Sequence, residues 1–146
     1  GALVFKGLSS YDAVYTSGNT SISFTSKGWF DQDVQIVYNG QEIGTASVSS
    51  LTGKTQLRLL NGEFYTIKSE MFSYNRQVMN EAGETLISYK QGAFSFGKGT
   101  IEVSDAVSDL TKEVLVSTSL YLKAVVEQQT AMLVTVFIPV FINFIN

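Results

Sequence analysis

Up to about residue 105 the chain alternates short apolar runs with clusters of Gly, Ser and Asn. Leu3-Val4-Phe5, Ala13-Val14-Tyr15, Ser21-Ile22-Ser23-Phe24 and Val34-Gln35-Ile36-Val37-Tyr38 are rich in β-branched and aromatic residues. Such side chains pack well on a pleated surface, so these runs read as strands. The single proline, Pro139, lies far downstream and interrupts none of them.

Two Asn-Gly dipeptides punctuate this pattern. Asn39-Gly40 separates Val34–Tyr38 from Gln41–Ser47, and Asn61-Gly62 separates Gln56–Leu60 from Glu63–Lys68. A two-residue hairpin loop needs positive φ at both positions, which Asn and Gly reach at least cost. On that reading Ile36 faces Ile43 and Leu59 faces Phe64. Leu57, Leu59, Phe64 and Thr66 then share one face, with Gln56, Arg58, Tyr65 and Ile67 on the other. A third turn is expected at Asn80-Glu81-Ala82-Gly83, between Arg76–Met79 and Thr85–Lys90. Ala93–Phe96 and Thr100–Val103 add two strands around Gly97-Lys98-Gly99, giving a meander of about ten strands that suggests a sandwich or a barrel.

The pattern changes after Asp105. Residues 110–129 lack Gly and Pro and carry apolar side chains on nearly every helical face, which predicts a helix buried all round, with Asp109 as its N-cap. Ala131–Ile145 contains no charge and is the most apolar stretch of the chain. Three roles compete for it: a membrane anchor, an exposed interaction patch, and the filling of a barrel interior. Its fifteen residues would give roughly 22 Å of helix against a hydrocarbon core of about 30 Å. Extending the span backwards would bury Glu127 and Lys123 in lipid. Core is therefore the expectation, and a tail-anchored protein with a cytoplasmic β domain is the alternative.

Composition narrows the chemistry. The 146 residues include no His and no Cys, which removes imidazole bases, thiol nucleophiles, disulfides and zinc-thiolate sites. Ten Lys and Arg against thirteen Asp and Glu give a net charge of -3, which argues against nucleic acid as a partner. The length fits a single domain, residues 1–146, with strands to about 105 and an apolar helical segment over about 110–146. No basic-then-apolar leader opens the chain, and Gly1 in place of a methionine is expected to be a cloning scar rather than the product of a cleavage.

The phrases Asn39-Gly40-Gln41-Glu42-Ile43-Gly44, Asn61-Gly62-Glu63-Phe64-Tyr65 and Ala82-Gly83-Glu84, followed by the apolar run from Tyr121-Leu122-Lys123-Ala124-Val125, resemble the tubby C-terminal-like superfamily. The likeness is strongest to its LURP-one-related and phospholipid scramblase branch. It implies a closed antiparallel barrel of about 10–12 strands threaded by a C-terminal hydrophobic helix. Mainly β with one buried helix is therefore the expected fold class. The central helix would span 110–129 or 118–138, because Glu127-Gln128-Gln129 and Pro139 interrupt the run. The resemblance also implies an anionic phospholipid headgroup as ligand, read by surface Lys and Arg, and hence a cytoplasmic protein peripheral to the membrane.

Candidates for that role are Lys54, Arg58, Lys68, Arg76 and Lys90 on the central hairpins. Parity counts against them as a set, since a two-residue loop at Asn61-Gly62 puts Arg58 and Lys68 on opposite faces. Other motifs are better explained by structure. Gly92–Lys98 matches the start of a phosphate-binding loop, but Gly99 stands where Ser or Thr should reach magnesium, and a strand follows where a helix is required. Asp31 with Asp33, and Asp105, Asp109 and Glu113, lack the regular oxygen spacing of a calcium loop. Trp29-Phe30 is read as core in preference to an exposed ligand contact. No metal, cofactor or catalytic residue is implied, and the expected function is a non-enzymatic binding or scaffolding domain.

Overall fold

The structure, a computed structural model, describes residues 1–6, 11–27, 32–48, 54–69, 76–91, 99–105, 107–126 and 131–133. Among the described residues ten strands precede one helix: β1 (Ala2–Phe5), β2 (Ala13–Ser17), β3 (Thr20–Lys27), β4 (Gln32–Tyr38), β5 (Gln41–Val48), β6 (Lys54–Leu59), β7 (Phe64–Ser69), β8 (Arg76–Asn80), β9 (Thr85–Gln91) and β10 (Gly99–Val103). Helix α1 (Asp109–Val126) and a short strand, β11 (Ala131–Leu133), follow. All strands join one antiparallel sheet in the order β10 to β1 and then β11, a meander in which each strand pairs with its sequence neighbour and β11 adds beside β1.

The sheet is open, which corrects the closed barrel expected from the sequence. Closure needs tilt and stagger that bring the first and last strands into hydrogen-bonding register. Here the order ends at β10 and at β11, and no ladder joins them among the described residues. The sheet nevertheless curves around α1, which touches β1, β3 and β8. Bulges help to bend it: register shifts at Ile36/Val37 against β5 and at Val78/Met79 against β9. The second bulge lets consecutive residues Leu86 and Ile87 both reach the core.

The inward face carries Leu3, Tyr15, Ile22, Phe24, Ile36, Leu57, Ile67 and Val78, all buried at alternate positions of their strands. Against it α1 buries every side chain from Thr111 to Ala124 except that of Glu113. Its hydroxyls bond within the helix, so burial leaves them satisfied. Ser117 and Thr118 donate to the Val114 carbonyl at 3.1 and 2.7 Å, and Ser119 donates to the Leu115 carbonyl at 2.8 Å. The N-cap is Ser108, one residue before the one expected. Its Oγ accepts from the Thr111 N–H at 3.3 Å and its carbonyl accepts from the Lys112 N–H at 2.8 Å, while Asp109 lies in the first turn.

The helix ends at Val126 and the next described segment is a strand, so residues 110–133 are not one continuous helix. The remainder of the apolar tail, residues 134–146, lies outside the described residues, as do Trp29-Phe30, Asp31, Ala93–Phe96 and the phosphate-loop-like run up to Lys98.

Candidate functional site

The two Asn-Gly turns fold differently, and the difference decides the site. At Asn39-Gly40 both residues have positive φ, 46° and 84°, and Tyr38 pairs with Gln41 across the expected two-residue loop. The bulge beyond it sets Ile36 opposite Gly44, not Ile43. At Asn61-Gly62 only Gly62 has positive φ, 93°. There the Gly62 N–H donates to the Leu59 carbonyl at 3.0 Å and the Leu59 N–H to the Glu63 carbonyl at 2.9 Å. This is a three-residue loop, a type I turn followed by a left-handed glycine. Asn61 Oδ1 braces it by accepting from the Glu63 N–H at 3.0 Å. The Asn80–Gly83 turn repeats the arrangement, with Gly83 at φ 82° and the Glu84 N–H bonded to Asn80 Oδ1 at 2.9 Å.

The longer loop moves the β6–β7 register by one residue. Arg58 pairs with Phe64, Leu57 with Tyr65, Gln56 with Thr66, Thr55 with Ile67, and Lys54 with Lys68. A one-residue slip exchanges the faces of a strand. Thr55, Leu57, Tyr65 and Ile67 are therefore buried, and Lys54, Gln56, Arg58 and Lys68 are exposed. The expected separation of Arg58 from Lys68 is thus corrected: both lie on the outward face. Lys54 and Lys68 stand directly opposite each other, and the Arg58 guanidinium lies 5.4 Å from the Phe64 ring centroid, a cation–π contact across the ladder.

The other two candidates sit elsewhere. Arg76 shares the inward parity of Val78, is half-buried, and lines a small internal cleft with Ile87, Tyr89, Leu120 and Lys123. In that cleft the Lys123 ammonium lies 5.6 Å from the Tyr89 ring centroid. Lys90 pairs through its backbone with Thr100, and its side chain lies outside the described residues.

Charge is sorted along the strand direction. Hairpins β2–β3, β4–β5, β6–β7 and β8–β9 turn at one end of the sheet, where α1 also begins. Among the described residues Glu42, Glu63, Glu81, Glu84, Asp105, Asp109 and Glu113 gather there, with Lys112 among them and Arg58 beside the β6–β7 turn. Lys6, Lys54, Lys68, Arg76 and Lys123 lie toward the opposite end, with Asp12 and Asp33. Among the described residues the two ends of the sheet thus differ in charge. Lys6 and Lys123 were not among the sequence candidates, because their position at this end follows from strand direction and not from any local motif.

Three tyrosines titrate high. Burial pushes the Tyr15 hydroxyl up, opposed by its bond to Ser17 and aided by the Glu113 charge. Burial also raises Tyr65, reinforced by the hydrogen bond its hydroxyl donates to Glu63 and by that carboxylate's charge. Tyr121 is raised by burial first and then by Asp12 and Tyr11. Among the described residues no group of three or more acidic side chains is arranged to hold a metal ion, and no helix is long and apolar enough to cross a membrane. The chain matches no protein-family model, no curated protein and no solved structure.

Proposed function

We propose that this protein is a non-enzymatic binding domain whose outward β6–β7 face recognises an anionic phospholipid headgroup at a membrane surface. One observation carries the reading: Lys54 faces Lys68 across the ladder, with Arg58 on the same face. Three positive side chains therefore share one exposed surface, and their combined field attracts an anionic headgroup. The resemblance to the tubby-like superfamily supplies lipid as the ligand class, and a peripheral position on the cytoplasmic side of a membrane follows from that reading.

The test is sedimentation with vesicles of phosphatidylcholine alone and with added phosphatidylserine or phosphoinositide. Each basic side chain near an anionic surface contributes about 1 kcal/mol. Replacing Lys54, Arg58 and Lys68 together by Gln should lower partitioning on the order of a hundredfold. Equal partitioning of the variant and the parent protein, or binding indifferent to lipid charge, would refute the proposal.

A further inference from the structure

The acidic end of the fold carries a groove of about 230 Å³ between the β4–β5 and β6–β7 turns and the first turns of α1. Its lining includes Ile43, Leu59, Leu60, Leu110 and Val114, with Glu42 among them. Two of these side chains are unusually open for leucine: Leu60 is 71% exposed and Leu110 52%. Leu60 reaches this position because the three-residue loop swings it out of the β6 ladder, and the Leu60 N–H is tied to the Ile43 carbonyl at 2.8 Å. Leu110 follows the Ser108 cap, so its helical turn is fixed as well. Both walls are held by backbone hydrogen bonds before anything binds, which reduces the ordering cost of binding.

We infer that this groove docks a basic segment of a partner protein, seating a bulky apolar side chain between Leu60 and Leu110 and placing Lys or Arg beside Glu42. The apolar floor supplies affinity by excluding water. The sign of the surrounding field selects the partner. Among the described residues Glu42, Glu63, Glu81, Glu84, Asp105, Asp109 and Glu113 gather at this end against Lys112 and Arg58, so the excess is acidic, and a cationic segment is attracted and an acidic one repelled. The same field opposes a two-fold dimer through this groove, which would bring two sets of these carboxylates together. The groove and the Lys54–Lys68 pair lie at opposite ends of the β6–β7 hairpin, with Arg58 the one member of the basic face near the groove. The domain could then bridge an anionic surface and a basic partner.

The experiment is fluorescence anisotropy of the full chain with a short fluorescein-labelled peptide of alternating Lys and Leu, beside a control with Glu in place of Lys. Saturable binding of the Lys peptide alone is expected, weakening as salt rises. Leu60→Ser and Leu110→Ser should each weaken it about tenfold. Since both side chains are largely exposed, the thermal midpoint should hold in each variant. Glu42→Lys should weaken binding, and the Lys54 and Lys68 double variant should bind the peptide as the parent does. No saturable binding, equal binding of the Glu peptide, or indifference to both leucine changes would overturn the inference. So would self-association in light scattering that Leu60→Ser abolishes, which would make a second copy the occupant.

Discussion

Tyr121 of α1 stacks on Phe24 of β3, with ring centroids 4.6 Å apart and planes 10° apart. Phe5 of β1 lies on Tyr121 as well, at 5.8 Å. The Tyr121 hydroxyl donates to the Tyr11 carbonyl at 2.7 Å, anchoring the helix to the segment that leads into β2. Tyr121 is 2% exposed, so both its ring and its hydroxyl are committed to the core. Tyr121→Phe should cost about 1 kcal/mol, the worth of one hydrogen bond with its acceptor left behind. Tyr121→Ala should cost about 3–5 kcal/mol, because a cavity replaces the stack. Urea unfolding followed by circular dichroism measures both.

Alkaline pH should unfold the protein through its tyrosines. Unfolded tyrosine ionises near 10, whereas Tyr15, Tyr65 and Tyr121 are all raised in the fold, chiefly by burial. The folded state therefore holds protons that the unfolded state releases. Stability is fully present below about pH 10 and falls as pH rises from there toward the folded values. Tyrosinate absorbance should show an early phase from exposed tyrosines and a late phase coincident with loss of circular dichroism. Tyr121→Phe should flatten the decline, and an unchanged pH profile would contradict the assignment.

Two glycines should fail for different reasons. A Cβ on Gly44 would come 2.3 Å from the Arg58 carbonyl oxygen, so Gly44→Ala must push β5 from β6 and should cost about 1–3 kcal/mol. A Cβ on Gly62 would meet nothing within 4 Å. Its φ of 93° is the obstacle, and Gly62→Ala should cost roughly 1–2 kcal/mol through backbone strain alone. Thermal melts of the two variants separate the cases, since Gly62→Asn should recover part of the loss and Gly44→Asn should not.

The hairpin turns and the helix were legible because each rests on local chemistry. Asn39-Gly40, Asn61-Gly62 and Asn80–Gly83 all turn the chain, and the charge-free stretches of 110–126 lie in a helix buried on almost every side. Register was not legible from the dipeptide. Asn-Gly serves equally as a two-residue loop or as the last two positions of a three-residue one, and the choice depends on which side chains the sheet must bury. Tyr65 and Ile67 held the clue, since pairing them inward with Leu57 buries more apolar surface than burying Phe64 and Thr66 would. Closure was not legible either, because tilt and stagger are properties of all the strands together. The site divided in the same way. Lys54, Arg58 and Lys68 could be named from sequence, but their common face depends on the loop, and strand parity turns Arg76 inward.

The shared basic face depends on one register, and the absence of native cysteine makes that register directly measurable. Counting from the bonded Leu59–Glu63 pair, Lys54 and Lys68 form a non-hydrogen-bonded pair, for which Cα atoms lie about 4.5 Å apart. That separation suits a disulfide. Lys54→Cys with Lys68→Cys should oxidise to an intramolecular disulfide, detected by mass and by the mobility shift on reduction. Thr55→Cys with Lys68→Cys, the pair that a two-residue loop would align, should remain reduced under the same conditions. Cross-linking of the second pair and not the first would place Arg58 and Lys68 on opposite faces and contradict the account.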